Sequence, residues 1–343
     1  MYLTEKEIFS QYDALKKTYG YMMENADAIR DFWKAGGFTS IYYAGCGSGY
    51  CLCRSAAESA RLRLGKPAFA MAAGDLMLNF PHYERSLKGS VLVAPSRSGS
   101  TSEVLKAAEL ARRAGVPCIA ISAVKDSPLG KEAALNLEIL WAFDESVCQT
   151  RTVSNLYAAN LIMIGILADD SVLLDEIKSA IDDGPAYMEK YRDAFKKFAA
   201  RDWDKAVVLA DSELTGIADE GAVAFKEIPQ IVSNYYHLLD VRHGPMVMID
   251  GKTLVIVALS PFGREYQADL ITDLKGKGAF VISVGSDEDM YGADAHITHQ
   301  EYKNYGVAGI PFIFVVQAVS YYKALDRGVN PDAPQGLSPW IKL

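Results

Sequence analysis

Apolar residues between positions 4 and 34 recur at mixed three and four spacing (Ile8, Tyr12, Leu15, Tyr19, Met22, Met23), which predicts helices there. From residue 40 the pattern changes to short continuous apolar runs. Ser40-Ile41-Tyr42-Tyr43-Ala44 ends in Gly45-Cys46-Gly47-Ser48-Gly49, and helical spacing follows to about Leu64. A second run at 90–94 leads into Pro95-Ser96-Arg97-Ser98-Gly99-Ser100-Thr101. A helix over 103–114, closed by Gly115, precedes a strand over 117–122. Strands that read as unbroken apolar runs, alternating with helices, predict an α/β fold with a mostly parallel sheet covered on both faces. Such a sheet binds ligands at the carboxyl ends of its strands.

The second half repeats this layout. Strand-like runs at 206–210, 253–258 and 278–283 flank a helix around 221–227 and the loop Leu259-Ser260-Pro261-Phe262-Gly263. Ser96 and Ser260 are 164 positions apart, and so are Gly99 and Gly263, so one α/β unit is expected twice. Residues 151–203 read as mainly helical, with the boundary between units near 195–204. No Pro-rich or low-complexity linker intervenes, which predicts closely packed halves. The expected organisation is a helical segment at 1–35, units at 36–200 and 201–325, and a tail at 326–343.

Composition narrows the function classes. The 343 residues carry a formal charge of −8, against the clustered positive charge that nucleic acid or an anionic membrane surface demands. The N-terminal residues lack a basic-then-apolar leader pattern, and no run reaches about 18 uninterrupted apolar residues. Cys46, Cys51, Cys53, Cys118 and Cys148 form an odd set in a chain large enough to need no disulfides, which suggests reduced thiols and a cytoplasmic protein.

The loop at 96–101 offers four hydroxyls, a guanidinium and free amides between a strand and a helix. That combination suits a phosphate monoester. Ser100-x-x-Glu103 also fits a capping box, so composition alone leaves both readings open. The loop is no Walker motif, since no Gly-Lys-Ser/Thr follows. Gly45-x-Gly47-x-Gly49 lacks the dinucleotide-binding spacing.

Taken in order, Gly45-Cys46-Gly47-Ser48, Ser96-Arg97-Ser98-Gly99-Ser100-Thr101 and Glu145-Ser146-Val147-Cys148-Gln149-Thr150-Arg151-Thr152 resemble the loops of the sugar isomerase (SIS) family. The likeness spans about residues 35–343. It is similar to the isomerase half of glucosamine-6-phosphate synthase and to ketosamine-6-phosphate deglycases, which implies two tandem SIS domains. The resemblance implies phosphate donors at Ser96, Ser98 and Thr101, with backbone help from Arg97 and Gly99. It further implies substrate contacts from Gly47, Ser48, Glu145, Gln149 and, in the tail, Lys342.

Gly221-Ala222-Val223-Ala224-Phe225-Lys226-Glu227 resembles the family's catalytic helix, and His243 follows Glu227 by sixteen residues in Arg242-His243-Gly244-Pro245. Alone, the pair reads more readily as a surface carboxylate and a turn histidine than as a catalytic pair. With the resemblance, Glu227 and His243 become the catalytic pair for proton transfer at C1–C2 of a sugar phosphate. The resemblance also implies a homodimer in which His243 completes the partner's site. Glucosamine-forming isomerases carry Lys where this chain has Ala224, and a tail Lys where it has Pro339. These departures shift the expected reaction toward deglycase- or deaminase-type cleavage of an amino-sugar or ketosamine 6-phosphate. The alternatives are an aldose–ketose isomerase and a sugar-phosphate sensor. No metal or organic cofactor is expected. The second-half loop at 260–265, without the hydroxyl cluster, is expected to be structural. Cys51-x-Cys53 reads as a buried helix face, and His296-x-x-His299 as surface.

Overall fold

The computed structural model describes residues 1–338. Strands β1 (Ser40–Gly45), β2 (Ala68–Ala72), β3 (Ser90–Ser96), β4 (Cys118–Ser122) and β5 (Leu135–Glu138) form one sheet, ordered β2-β1-β3-β4-β5. Strands β6 (Lys205–Leu209), β7 (Val232–Tyr236), β8 (Thr253–Ala258), β9 (Phe280–Gly285) and β10 (Ala295–Thr298) form a second, ordered β10-β9-β8-β6-β7. Every pairing is parallel. Reading the second sheet from its opposite edge gives the same strand order as the first, so the two sheets share one doubly wound topology.

The central strands explain that topology. Every residue of β1, β3, β4, β8 and β9 is buried, as strands covered on both faces must be. In register, Ser96 at the carboxyl end of β3 sits beside Ser122 of β4, which puts the following loop at the ligand-binding end of the sheet.

The expected helices at 4–34 are three: Leu3–Phe9, Gln11–Glu24 and Ala26–Gly36. The helical stretch at 151–203 is two, Arg151–Ala168 and Ser171–Ala199. Arg151–Ala168 and the helical segment Tyr305–Asp326 are long and apolar enough to cross a membrane by length and composition, yet both lie in the interior. One continuous hydrophobic core joins Val93 and Ile121 of the first sheet, Ile162, Phe225 and Phe314 of the helices, and Ile256 of the second sheet.

The two halves also meet where helix Ser48–Leu64 crosses helix Thr215–Glu227. A Cβ at Gly216 would fall 2.0 Å from the Cys51 carbonyl oxygen, so only glycine permits this approach. The Ile217 N–H donates to Ser55 Oγ at 3.0 Å, and Arg54 pairs with Asp219 alongside. Cys51 and Cys53 are buried on this helix, as their spacing suggested.

Candidate active site

The loop after β3 surrounds a cavity of about 40 Å³ lined by Cys46, Gly49, Pro95, Ser96, Arg97, Ser98, Thr101, Val104 and Gln149. At roughly 10–15 Å³ per water, that holds three or so water-sized groups, the size of a phosphoryl group's terminal oxygens. The cavity opens at the N-terminus of helix Ser102–Arg113, where the helix dipole favours an anion. The helix is capped by position at Thr101 and not at Ser100, and the Thr101 hydroxyl makes no capping bond. The capping-box reading of Ser100 and Glu103 is therefore corrected: Ser100 Oγ donates instead to the Ser98 carbonyl at 3.3 Å.

The loop holds its shape through local bonds. Gly99 N–H donates to Ser96 Oγ at 3.1 Å, and Ser100 N–H to Ser98 Oγ at 3.1 Å. Gly99 has φ +57°, and an added Cβ would lie 2.3 Å from Ser127 Oγ, so conformation and space both require glycine. Its carbonyl accepts the Leu129 N–H at 2.9 Å.

Arg97 ties this loop to the 145–149 segment. Its guanidinium donates to the carbonyls of Ser146 and Val147, each at 3.1 Å, and lies 5.9 Å above the Phe143 ring. Burial lowers its pKa, while Asp144, Glu227 and Glu7 act the other way. That segment is anchored from behind. Glu7 accepts the N–H groups of Glu145 (2.6 Å) and Ser146 (3.1 Å), and Asp144 accepts those of Thr150, Arg151 and Thr152 at the start of the long buried helix. Burial first, then the like charge of Glu7, raises the Asp144 carboxyl above the usual range. Gln149 thereby reaches the cavity, while the Glu145 side chain is exposed.

Glu227 ends helix Thr215–Glu227. Burial pushes its carboxyl upward, and the positive charges of Arg97 and Lys226 oppose the shift. The carboxyl thus lies within electrostatic reach of the phosphate-type loop without lining the cavity itself. Ala224, on the same helix, packs against Cys148. His243 is exposed in a short turn, its N–H donating to the Asp240 carbonyl at 2.9 Å, and does not line the cavity. Gly47, with φ +51°, and Ser48 begin the helix after β1, next to cavity residues Cys46 and Gly49. Lys342 and Pro339 lie outside the described residues.

Two groups escaped the sequence reading. Glu220, one of the most deeply buried carboxylates in the described chain at 2 % exposed, lies two turns before Glu227 on the same helix. A carboxylate seven residues before Glu227, in the apolar-rich stretch Gly216–Phe225, was the available signal. His237 Nδ1 pairs with Asp211 at 2.7 Å on the surface, beside Tyr235. His296, expected at the surface, is half-buried on β10 and bonds Ser283 at 2.8 Å. In the second-half loop, the Gln267 side chain occupies the backbone groups of Ser260 and Phe262. Burial raises the Cys46 thiol to about 11, so it stays protonated near neutrality. Among the described residues, no group of three His, Cys, Asp or Glu side chains is placed to hold a metal ion.

The SIS domain profile matches residues 38–163. Glutamine–fructose-6-phosphate aminotransferase [isomerizing] of Pyrococcus horikoshii is 26% identical over 355 aligned positions, covering 98% of this chain and 57% of the relative. D-galactosamine-6-phosphate deaminase AgaS of a Shewanella species is 28% identical, covering 74% of this chain and 66% of its own length. The chain spans about half the length of the aminotransferases it matches. In fold it resembles glucosamine-6-phosphate deaminase of Thermotoga maritima (TM-score 0.85, 23% identity, 99% and 100% of the two chains). It likewise resembles tagatose-6-phosphate ketose/aldose isomerase of Escherichia coli (TM-score 0.87, 22% identity, 99% and 95% of the two chains). Residues 38–163 thus match the SIS domain, in a chain similar to phosphosugar-processing enzymes of the isomerase and deaminase kinds.

Proposed function

We propose that the protein is a homodimeric enzyme of two tandem SIS-type units that removes the amine from an amino-sugar or ketosamine 6-phosphate. The observation carrying this reading is the Glu227 carboxyl, raised by burial and set in the field of Arg97, the residue that shapes the phosphate-type cavity. Ser96, Ser98 and Thr101, with the amides of the loop, would bind the phosphate. Gln149 and the Gly47–Ser48 turn would contact the sugar.

For a 2-amino-2-deoxyaldose 6-phosphate, ring opening exposes the C1 aldehyde. Glu227 takes the C2 proton and returns it at C1, leaving a C2 imine. Water hydrolyses the imine, so the amino sugar and one water become a ketose 6-phosphate and ammonia. The carboxyl's raised pKa suits a group that must both accept and return a proton. Ala224 shares a small apolar cluster with Cys148, at the position where the glucosamine-forming isomerases that the chain resembles carry Lys.

Exposed Val247 and Met248, at 78 % and 69 %, sit close after His243 in sequence, and Leu239 just before it. That apolar stretch supports a second copy covering this surface and placing its own His243 at the neighbouring site.

Proton NMR of the protein with glucosamine 6-phosphate, galactosamine 6-phosphate and a fructosamine 6-phosphate in deuterated buffer tests the reading, beside Glu227→Gln. Amine release lost in the variant supports it. Deuterium entering C1 or C2 without amine release would make the protein an isomerase. Tight binding with no turnover of any of them would make it a sensor.

A further inference from the structure

We propose that the cleft between helices Gln11–Glu24 and Ser171–Ala199 is a second ligand site, one that takes an uncharged sugar. It shares no residue with the phosphate-type cavity and does not depend on the functional reading above. The cleft measures about 240 Å³, and its walls include Tyr12, Asp183, Tyr187, Lys190, His299 and Tyr302. At roughly 10–15 Å³ for each water-sized group, that exceeds the dozen or so non-hydrogen atoms of a hexose. Thr298, the last residue of β10, also lines it, so the cleft lies at the carboxyl edge of the second sheet, where parallel sheets bind ligands.

Two buried phenols set the cleft apart from a packing gap. Tyr12, 1 % exposed, and Tyr187 pack edge-on against the Phe314 ring, with centroids 6.2 and 6.1 Å from it. The Oη atom of each is buried without a partner among the described residues. Neighbouring Tyr191 shows the contrast: its hydroxyl donates to the Thr298 carbonyl at 3.1 Å and accepts the Thr298 N–H at 3.0 Å. Phenylalanine would fill the positions of Tyr12 and Tyr187 without burying an unpaired hydroxyl. The helix breaks a local rule at the same place. Gly184-Pro185 falls inside Ser171–Ala199, and Pro185 has no N–H to donate to the Ile181 carbonyl. A Cβ at Gly184 would fall 1.9 Å from the Tyr12 ring, so packing explains the glycine. Pro185 is exposed and has no such explanation; departures of this kind gather at functional sites.

The polar groups define the ligand's class. His299 Nδ1 lies 2.7 Å from the Gln300 carbonyl oxygen, which can only accept, so Nδ1 carries the proton and Nε2 is an acceptor. Burial pushes the ring's pKa down to about 4, which keeps it neutral near pH 7. The phenols supply donors, His299 supplies an acceptor, and a hydroxyl-bearing ligand answers both. The His299 and Tyr302 rings stack with centroids 5.5 Å apart, giving a flat wall for the C–H face of a sugar ring. Lys190 and Asp183 offset each other, so no net positive charge in these walls favours a phosphate.

The test is saturation-transfer NMR with D-glucose, D-galactose and N-acetyl-D-glucosamine, beside denaturant unfolding of each variant. At least one sugar binds the wild type and binds Thr101→Val equally well. Tyr12→Phe and Tyr187→Phe each weaken that binding about tenfold yet are as stable as the wild type or more so, since each removes a buried unpaired hydroxyl. Ala186→Trp, at an exposed position in the cleft wall, abolishes binding. Binding of none of the three sugars, or binding that survives Ala186→Trp, overturns the proposal. Normal affinity in both phenylalanine variants means that the hydroxyls hold only water, and overturns it too. Loss of binding in Thr101→Val would put the sugar in the phosphate-type cavity instead. Should Tyr12→Phe fail to fold, Tyr187→Phe and Ala186→Trp decide.

Discussion

Glu7 Oε1 accepts the main-chain N–H of Glu145 at 2.6 Å, so a helix near the start of the chain fixes the segment that brings Gln149 to the cavity. Asp332 works from the other side: its carbonyl accepts the Val147 N–H at 3.1 Å, and its carboxylate accepts the N–H groups of Leu3 and Thr4. Replacing Glu7 by Ala leaves the buried Ser146 N–H without its acceptor, at a cost of about 1–3 kcal/mol. Glu7→Gln, which still accepts, loses less. Denaturant unfolding ranks the two, and phosphosugar affinity falls in the same order.

Gly99 is the position at which a single methyl group disables the loop. Gly99→Ala meets both the positive φ and the Ser127 hydroxyl. The left-handed conformation alone costs roughly 1–2 kcal/mol for a residue with a Cβ. Inorganic phosphate and phosphosugar affinity fall by tenfold or more, while the circular dichroism spectrum is unchanged.

The hydroxyls at Ser96, Ser98 and Thr101 are separable. Thr101→Val keeps shape and removes a hydroxyl that makes no capping bond, so it weakens phosphosugar binding by about 1–2 kcal/mol without loss of stability. Ser96→Ala costs both, since Ser96 Oγ also accepts the Gly99 N–H.

The pH dependence has a definite sign. Burial raises Glu227, so the acid limb of kcat/KM falls at a pH above that of an ordinary glutamate, and Glu227→Gln removes turnover. Asp144 is also raised, so the folded state holds its proton more tightly than the unfolded chain. Its contribution to stability is full below the ordinary aspartate value and is lost as pH rises through the raised one. Asp144→Asn flattens that part of the stability–pH curve.

If His243 serves a neighbouring subunit, defects at Glu227 and His243 complement each other. Mixing Glu227→Gln with His243→Ala under exchange conditions restores activity to about a quarter of wild type, because half of random dimers are hybrids with one intact site. No recovery on confirmed hybrids places both residues in one chain's site.

The sequence made the interior of each sheet legible and left its edges unread. The six strands recognised, β1, β3, β4, β6, β8 and β9, are all central; β2, β5, β7 and β10, all edge strands, were missed. A central strand buried on both faces is a continuous apolar run. Edge strands mix buried positions with exposed or half-buried ones, as in Val232–Tyr236 and Ala295–Thr298, and do not stand out from loops. Within the site, the hydroxyl loop was readable because it is local. The clamp by Glu7 and the burial of Glu220 join residues far apart in sequence, which periodicity does not encode.

The close crossing at Gly216 has a mechanical consequence. With no Cβ between helices Ser48–Leu64 and Thr215–Glu227, a bond from Ile217 to Ser55 and one hydrophobic core running through both sheets, the two halves are packed as one piece among the described residues. Opening them like a clamshell would tear a packed interior. On the proposed function, substrate entry and product escape are then expected to fall to the loops, with the two halves acting as one body.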